Sequence, residues 1–194
     1  MTGGARACVL VGVFLVPASP AAAQLWEVHL GPVASYGAAV AFGPGAGALV
    51  GLAPGRFAYA GLRYMYYAGS TTPVGTAPSA TEVRNRVQLF GVDLSLMIPA
   101  GRVDIMPGVG FGAAQFTQES RAVGAAGSWQ SSRTTEFFAA PGAAVEVSLG
   151  RIALVPELQY GLSTQPRLAY PLQPQGLLAS VRIVMTFEID RIRQ

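Results

Sequence analysis

The chain has 194 residues, of which 12% are charged and 51% are hydrophobic. This length allows one domain or a tight pair, and the low charge with a high apolar content excludes intrinsic disorder. The net charge is only +3 and no dense basic cluster occurs, so nucleic acid is excluded as a partner. The single cysteine, Cys8, excludes a disulfide framework and any multi-cysteine metal site. We predict neither a metal nor a cofactor.

Residues 1–23 have the layout of a secretory signal peptide. Arg6 supplies a positive start, an apolar run follows from Cys8 to Val16, and small residues precede a predicted cleavage site before Gln24. The apolar run is shorter than the roughly 20 residues that a membrane-spanning helix needs. We therefore expect an exported chain whose mature domain comprises residues 24–194 and contains no cysteine.

From Gln24 onwards, apolar side chains alternate with small or polar ones, which is the two-residue period of β-strands. In 134–149, for example, Val145 and Val147 share one face while Gly142 and Glu146 share the other. This pattern predicts eight strands, at about 25–38, 46–53, 56–69, 83–99, 102–118, 134–149, 151–163 and 177–190. Short turns alternate with long polar connections at about 70–82, 119–133 and 164–176, and a Gly/Pro-rich connection lies near 43–47.

The composition of the two faces predicts which face meets which solvent. The face of small and charged residues suits a narrow lumen, whereas the continuous apolar face would be a large exposed patch in water and suits lipid. A closed sheet pairs every backbone group in the membrane. We therefore predict an all-β fold, an eight-stranded antiparallel up-and-down transmembrane β-barrel, with short turns at one end and long loops at the other.

Proline and aromatic residues add two further expectations. Pro107, Pro141 and Pro156 cannot donate to the sheet and are predicted to mark bulges or points of register slippage on the lipid face. Amphipathic rings gather at both interfaces of a membrane barrel. The rings predicted to lie there are Trp26, Phe57, Tyr66, Tyr67, Phe137, Tyr160 and Phe187.

Three segments carry a resemblance to a known family: Gly101–Gly112, Pro156–Gly161 and the alternating Val181–Ile189. With these segments the chain resembles the small bacterial outer-membrane barrels of the OmpA/OmpX type. The resemblance covers nearly all of the mature chain. It implies a porin-like integral protein of the outer membrane that contacts outer-membrane lipid.

The inward faces carry charges that we expect to pair, because an unpaired buried ion costs several kcal/mol. Arg63 and Asp93 lie at similar depth on neighbouring predicted strands, and Glu157 and Arg182 do the same, which predicts two ion pairs that plug the lumen. Two further pairs are predicted: Asp104 with Glu146 on adjacent strands nearer the mouth, sharing a proton or an arginine, and His29 with Glu188 where the barrel closes.

These features favour a non-enzymatic barrel with a plugged lumen, whose long loops 70–82, 119–133 and 164–176 contact an extracellular partner. A narrow pore or a conduit for a small hydrophobic ligand is an alternative, since eight strands leave room for side chains or one small ligand. A secreted soluble ligand-binding barrel is a second alternative. A lipid-modifying enzyme would need a nucleophile beside the single histidine, His29, and the sequence shows no Ser–His–acid arrangement there.

Overall fold

The computed structural model describes residues 26–55, 57–76, 80–124 and 127–189, and the predicted signal peptide lies outside them. In this part of the chain no helix is long and apolar enough to span a membrane. The strands of the described residues are β1 (Trp26–Gly37), β2 (Gly43–Pro54), β3 (Ala58–Tyr67), β4 (Thr71–Val74), β5 (Thr81–Leu96), β6 (Ile98–Ala100), β7 (Val103–Ala122), β8 (Gln130–Leu149), β9 (Ile152–Ser163) and β10 (Gly176–Ile189).

Eight long strands form a closed antiparallel barrel. Each of them pairs with its neighbours in the chain, and β1 pairs with β10 to complete the ring. Two short strands extend the sheet at opposite ends of the barrel. β4 pairs with β5 at the long-loop end, and β6 pairs with β7 at the short-turn end. The predicted fold class, an eight-stranded up-and-down barrel, is therefore confirmed.

The pairing register shows that the strands are steeply tilted. We follow directly paired residues from strand to strand once around the barrel, starting at Glu27 on β1. The circuit returns to β1 at Gly37, ten residues further along. For eight strands this stagger corresponds to a tilt of roughly 40°. At this tilt the strand from Trp26 to Tyr36 rises roughly 25 Å, which matches the height of the apolar band of outer-membrane barrels.

The apolar rows point outwards and the small or charged rows point into the lumen, as the sequence predicts. Leu94 and Leu158 are 42% and 55% exposed on the exterior, whereas Asp93 is only 6% exposed in the interior. The orientation follows from strand geometry, since successive side chains point to opposite faces of a sheet. The exterior between the two rims is therefore an apolar surface suited to lipid acyl chains.

Six of the seven predicted interface rings are exposed near the rims. Those beside the short turns are Trp26, Phe57 and Phe187, and those towards the long loops are Tyr66, Phe137 and Tyr160. The seventh, Tyr67, is only 2% exposed and points into the lumen. The prediction for Tyr67 is wrong because it follows the outward Tyr66 directly, and adjacent residues of a strand cannot share a face.

The connections between the observed strands are shorter than the sequence predicts, because the strands extend into them. Residues 43–47 belong to β2, so the first connection on the loop side is 38–42 instead. The β7–β8 pairing runs on to Ser120 and Gln130, which converts most of 119–133 into a protruding hairpin. In 70–82, β4 pairs with the start of β5.

The prolines do not insert the extra residue of a bulge. The β7–β8 register is constant past Pro107 and Pro141, and the β8–β9 register is constant although bridges opposite Pro141 and Pro156 are missing. Each ring nitrogen thus removes a donor without shifting the register, because a shift would turn the apolar row inwards. An extra residue does occur between Tyr67 and Thr71, where Gly69 has a φ of 65°.

An arginine on the mid-height exterior tests the assignment of that surface to lipid. Leu158→Arg is expected to lower the free energy of unfolding in lipid vesicles by about 2–4 kcal/mol, because its charge lies near the bilayer midplane. Ser131→Arg, on the protruding part of β8, is the matched control and should change it by less than about 0.5 kcal/mol. Urea titration followed by heat-modifiable gel migration measures both; equal effects of the two substitutions would contradict the assignment.

Candidate functional site

The middle of the lumen is occupied by a buried arginine that reaches across the barrel. Arg63 on β3 places its Nε 2.7 Å from Oδ2 of Asp93 on the neighbouring β5. Its Nη2 donates to Glu157 on β9, on the far wall, with 2.8 Å between Nη2 and Oε2. Its Nη1 donates to Oε1 of Gln159 at 3.3 Å. One guanidinium therefore joins opposite sides of the barrel.

Arg182 on β10 completes this group. Its Nη2 lies 3.7 Å from Oε1 of Glu157, and its guanidinium carbon lies 5.7 Å from the centre of the Tyr59 ring. The structure thus brings together both predicted pairs, Arg63 with Asp93 and Glu157 with Arg182. We call these four side chains the lumen ion cluster. Its two cations and two anions balance, which offsets the cost of removing each charge from water.

The sequence did not predict the contact between Arg63 and Glu157 that unites the two pairs. β3 and β9 are not neighbours in the barrel, so depth counting along adjacent strands carries no signal for this contact. Glycine makes room for the cluster: a Cβ at Gly110 would lie 2.8 Å from Oδ1 of Asp93. The many glycines of the inward face are the one sequence feature that indicates this arrangement, because glycine leaves room for large neighbouring side chains to fill the centre.

A second group of titratable side chains lies below the cluster, at the short-turn end. Asp104 is directly opposite Glu146, as predicted, but the pair lies close to the turns at Gly101 and Gly150 and not near the loop-side mouth. Glu146 is 5% exposed. The predicted depth is wrong because both residues lie within four positions of a short turn, while the strands continue far beyond them towards the loops.

His29 lies in the same region but has other neighbours than expected. The β1–β10 register places Thr186 opposite His29 and Glu188 opposite Glu27. The His29 Nε2 lies 3.6 Å from Oε2 of Glu27, and its ring centre lies 5.5 Å from that of Tyr59. The predicted His29–Glu188 pairing is therefore two residues out of register, because the stagger of the closing strands is a property of the whole ring.

The loop-side half of the lumen is filled by apolar side chains. Phe42 and Phe116 are completely buried, and Phe42 packs edge-on against Tyr67 and Phe138. Tyr67 also shares a hydrogen bond with the hydroxyl of Ser35, with 3.0 Å between the oxygens. This layer separates the lumen ion cluster from the loop-side mouth. A cavity of about 30 Å³ beside Arg63, Tyr67 and Gln159 has room for one or two water molecules.

Residues 164–175 fold over the loop-side mouth and form a cap. Leu172 is only 4% exposed and joins the apolar layer. Gln118 on β7 holds the segment through both backbone polar groups of one residue, Tyr170. Its Oε1 accepts from the backbone N–H of Tyr170 at 2.8 Å, and its Nε2 donates to the carbonyl of Tyr170 at 3.2 Å. Nothing in the sequence around Gln118 distinguishes it from other strand glutamines.

Glu136 holds the beginning of the cap. It lies on the part of β8 that continues past the end of β9 towards the loops. Its carboxylate accepts from the hydroxyl of Thr164 at 2.5 Å and from that of Thr134 at 3.0 Å. The cap is therefore attached to the barrel by polar contacts at Glu136 and Gln118 and by apolar burial at Leu172.

In the ranges given above, no group of three or more His, Cys, Asp or Glu side chains is placed to hold a metal ion. The described contacts of His29 are with the Glu27 carboxylate and the Tyr59 ring.

Comparison with known proteins identifies the class by fold. No protein-family model and no curated protein matches this sequence. The structure is similar to that of a major outer membrane protein from Thermus thermophilus, with 13% identity, coverage of 84% of this chain and 99% of that chain, and a TM-score of 0.63. The chain thus has the fold of an outer-membrane β-barrel protein, which agrees with the fold class predicted from the sequence.

Two further solved structures match over a similar length. The N-terminal β-barrel domain of Pseudomonas aeruginosa OprF is 14% identical, with coverage of 83% of this chain and 97% of that chain and a TM-score of 0.49. Ail from Yersinia pestis, solved in complex with the heparin analogue sucrose octasulfate, is 8% identical, with coverage of 86% and 99% and a TM-score of 0.48. At these identities the likeness is one of fold alone.

Removal of the central cation tests the energetic role of the lumen ion cluster. Arg63→Met is expected to lower the free energy of unfolding by about 3–5 kcal/mol, because it leaves Asp93 buried without its cation. The double variant Arg63→Met/Asp93→Asn should recover part of this loss, since Glu157 retains Arg182. Urea unfolding in vesicles measures both; a double variant no more stable than the single one would refute the pairing.

Proteolysis tests the attachment of the cap. Gln118→Leu removes both hydrogen bonds to Tyr170, so trypsin is expected to cleave after Arg167 about fivefold faster in the folded barrel, which corresponds to a loss of about 1 kcal/mol. Cleavage after Arg133, which lies within β8, is the internal control and should not change. Unchanged cleavage after Arg167 would show that Gln118 does not hold the cap.

Proposed function

We propose that this chain is an integral, non-enzymatic outer-membrane protein whose lumen is closed by its own side chains and whose interactions take place on its outer wall and loops. The observation that carries the proposal is the double closure of the lumen. Charged side chains cross its centre, and buried rings with the cap fill its loop-side half. Export through a signal peptide comprising residues 1–23 is part of the same proposal.

The protruding β7–β8 hairpin is the surface we assign to an extracellular partner, together with loops 70–82 and 164–176. Arg121 on this hairpin pairs with Glu82 on β5, with 2.8 Å between Nη2 and Oε2. Its guanidinium carbon also lies 4.3 Å from the centre of the Trp129 ring. These contacts support a hairpin that is pre-ordered for binding, which lowers the entropy cost of recognition.

A narrow pore or a hydrophobic-ligand conduit would require an open path through both closures. The first closure is the lumen ion cluster, where side-chain contacts span the barrel from Asp93 to Glu157 and block a path for water or ions. The contacts therefore support a closed barrel more than a conduit. A soluble secreted barrel is disfavoured because its outward face would expose the apolar band to water.

Conductance across planar bilayers separates a closed barrel from a pore. The purified barrel is expected to give no stable conductance steps. Arg63→Ala and Leu172→Asp, which weaken one closure each, should also remain silent, while the combination should conduct because both closures are then weakened. Heat-modifiable gel migration verifies that each variant is folded. Stable conductance by the unaltered protein would contradict the proposal and favour the pore.

A further inference from the structure

An uneven distribution of arginines marks one side of the barrel above the apolar band. Four arginines lie there on the loop-side parts of β5, β7 and β8, and we call them the arginine wall: Arg84, Arg86, Arg121 and Arg133. Arg84 and Arg133 are exposed. The opposite side differs, since the outward residues at the loop ends of β1, β9 and β10 are Tyr36, Leu162 and Leu177.

The register fixes the height of the arginine wall relative to the membrane. Phe90, Ala113 and Phe137 lie in one row across β5, β7 and β8, and both rings are more than 60% exposed. Four residues further towards the loops, the equivalent row is Arg86, Thr117 and Arg133. At the tilt of these strands, four residues rise roughly 10 Å. Arg86 and Arg133 therefore lie in the layer directly above the interfacial rings, where lipid headgroups are found. Arg84 and Arg121 lie two and four residues further towards the loops, roughly 5 Å and 10 Å higher.

The wall retains positive charge after its internal ion pairs are formed. Arg86 pairs with Glu119 at 3.2 Å, and Arg121 pairs with Glu82 at 2.8 Å. Among the described residues, neither Arg84 nor Arg133 forms an ion pair. The register places Arg84 opposite Glu119, which in turn is opposite Ser131, two residues from Arg133. Two exposed guanidiniums therefore flank the Arg86–Glu119 pair on one outward surface.

We propose that the arginine wall binds the phosphate groups of an anionic lipid in the outer leaflet, with Arg84 and Arg133 as the principal ligands. Guanidinium groups donate paired hydrogen bonds to phosphate oxygens, which makes arginine well suited to this headgroup. Phe90 and Phe137 lie below the arginines, where the same lipid's acyl chains begin. This inference rests on the proposed membrane-spanning function and adds a lipid class and a site to it.

A lipid fits these observations better than a soluble polyanion does. Arg84 and Arg133 lie on the lateral wall, in line with the exposed rings of Phe90 and Phe137 along the same strands, and not on the tips of the loops. A headgroup in the bilayer therefore reaches them without leaving its leaflet. Electrostatic attraction to anionic lipid also acts mainly within a Debye length of the membrane surface. The register places the row of Arg86, Thr117 and Arg133 within that distance.

The test compares full-length barrels in phosphatidylcholine nanodiscs containing a diphosphorylated glucosamine-disaccharide lipid. Native mass spectrometry after mild activation measures how much of this glycolipid each barrel retains. The unaltered protein should retain it over phosphatidylcholine, and Arg84→Gln/Arg133→Gln should retain about tenfold less, since two charge-assisted contacts are lost. Arg102→Gln/Arg151→Gln, at the exposed short turns, is the matched control and should behave like the unaltered protein.

Equal retention by all three proteins would overturn the site. So would tight binding of sucrose octasulfate or inorganic phosphate to the detergent-solubilised barrel through Arg84 and Arg133, with no preference for the glycolipid, because the ligand would then be a soluble anion. A glycolipid lacking both phosphates should be retained no better than phosphatidylcholine. Heat-modifiable migration and bilayer conductance are measured in parallel, so failure of the lipid site is distinguishable from failure of the closed-barrel proposal.

Discussion

The structure depends on one constraint: in a bilayer every backbone hydrogen bond of the spanning sheet must be satisfied within the sheet. Closure of β1 onto β10 meets this constraint, and it fixes the ten-residue stagger and with it the depth of every side chain. Once the ring is closed, the alternation along each strand sends one row to lipid and the other to the lumen. The prolines are local exceptions to full pairing, and the closed ring tolerates them: the β8–β9 ladder loses bridges at Pro141 and Pro156 without any shift of register.

The lumen follows from the same closure. Eight strands leave a space that side chains fill, and glycines such as Gly110 provide the volume for a charged cluster at its centre. Charge balance permits the cluster in this low-dielectric interior, since each arginine contacts a carboxylate. The apolar rings and the cap then close the loop-side half. The exterior above the apolar band is left as a surface where charge is exposed, and among the described strands its arginines lie on β5, β7 and β8.

Much of this arrangement could be predicted from the sequence because it depends on local periodicity. Two-residue alternation gave the strands and the orientation of their faces, and equal depth on adjacent strands suggested Arg63 with Asp93 and Glu157 with Arg182. Properties of the whole ring could not be predicted in this way. The contact of Arg63 with Glu157, the partner of His29 and the depth of Asp104 all depend on stagger and on contacts across the barrel. The aromatic ring of Tyr67 suggests an interface position, but strict alternation with the outward Tyr66 turns it into the lumen. Gln118 carries no local signal.

The central claim is that the outward apolar rows of a closed barrel touch acyl chains while the inward rows do not. Labelling by a membrane-dissolved carbene probe, mapped residue by residue in vesicles, tests it most directly. The account predicts labelling of Leu94, Leu158 and Ile183 and protection of Met65, Val155 and Val184, which are buried in the lumen. Labelling of the second set with protection of the first would contradict the orientation on which the closed lumen and the arginine wall both rest.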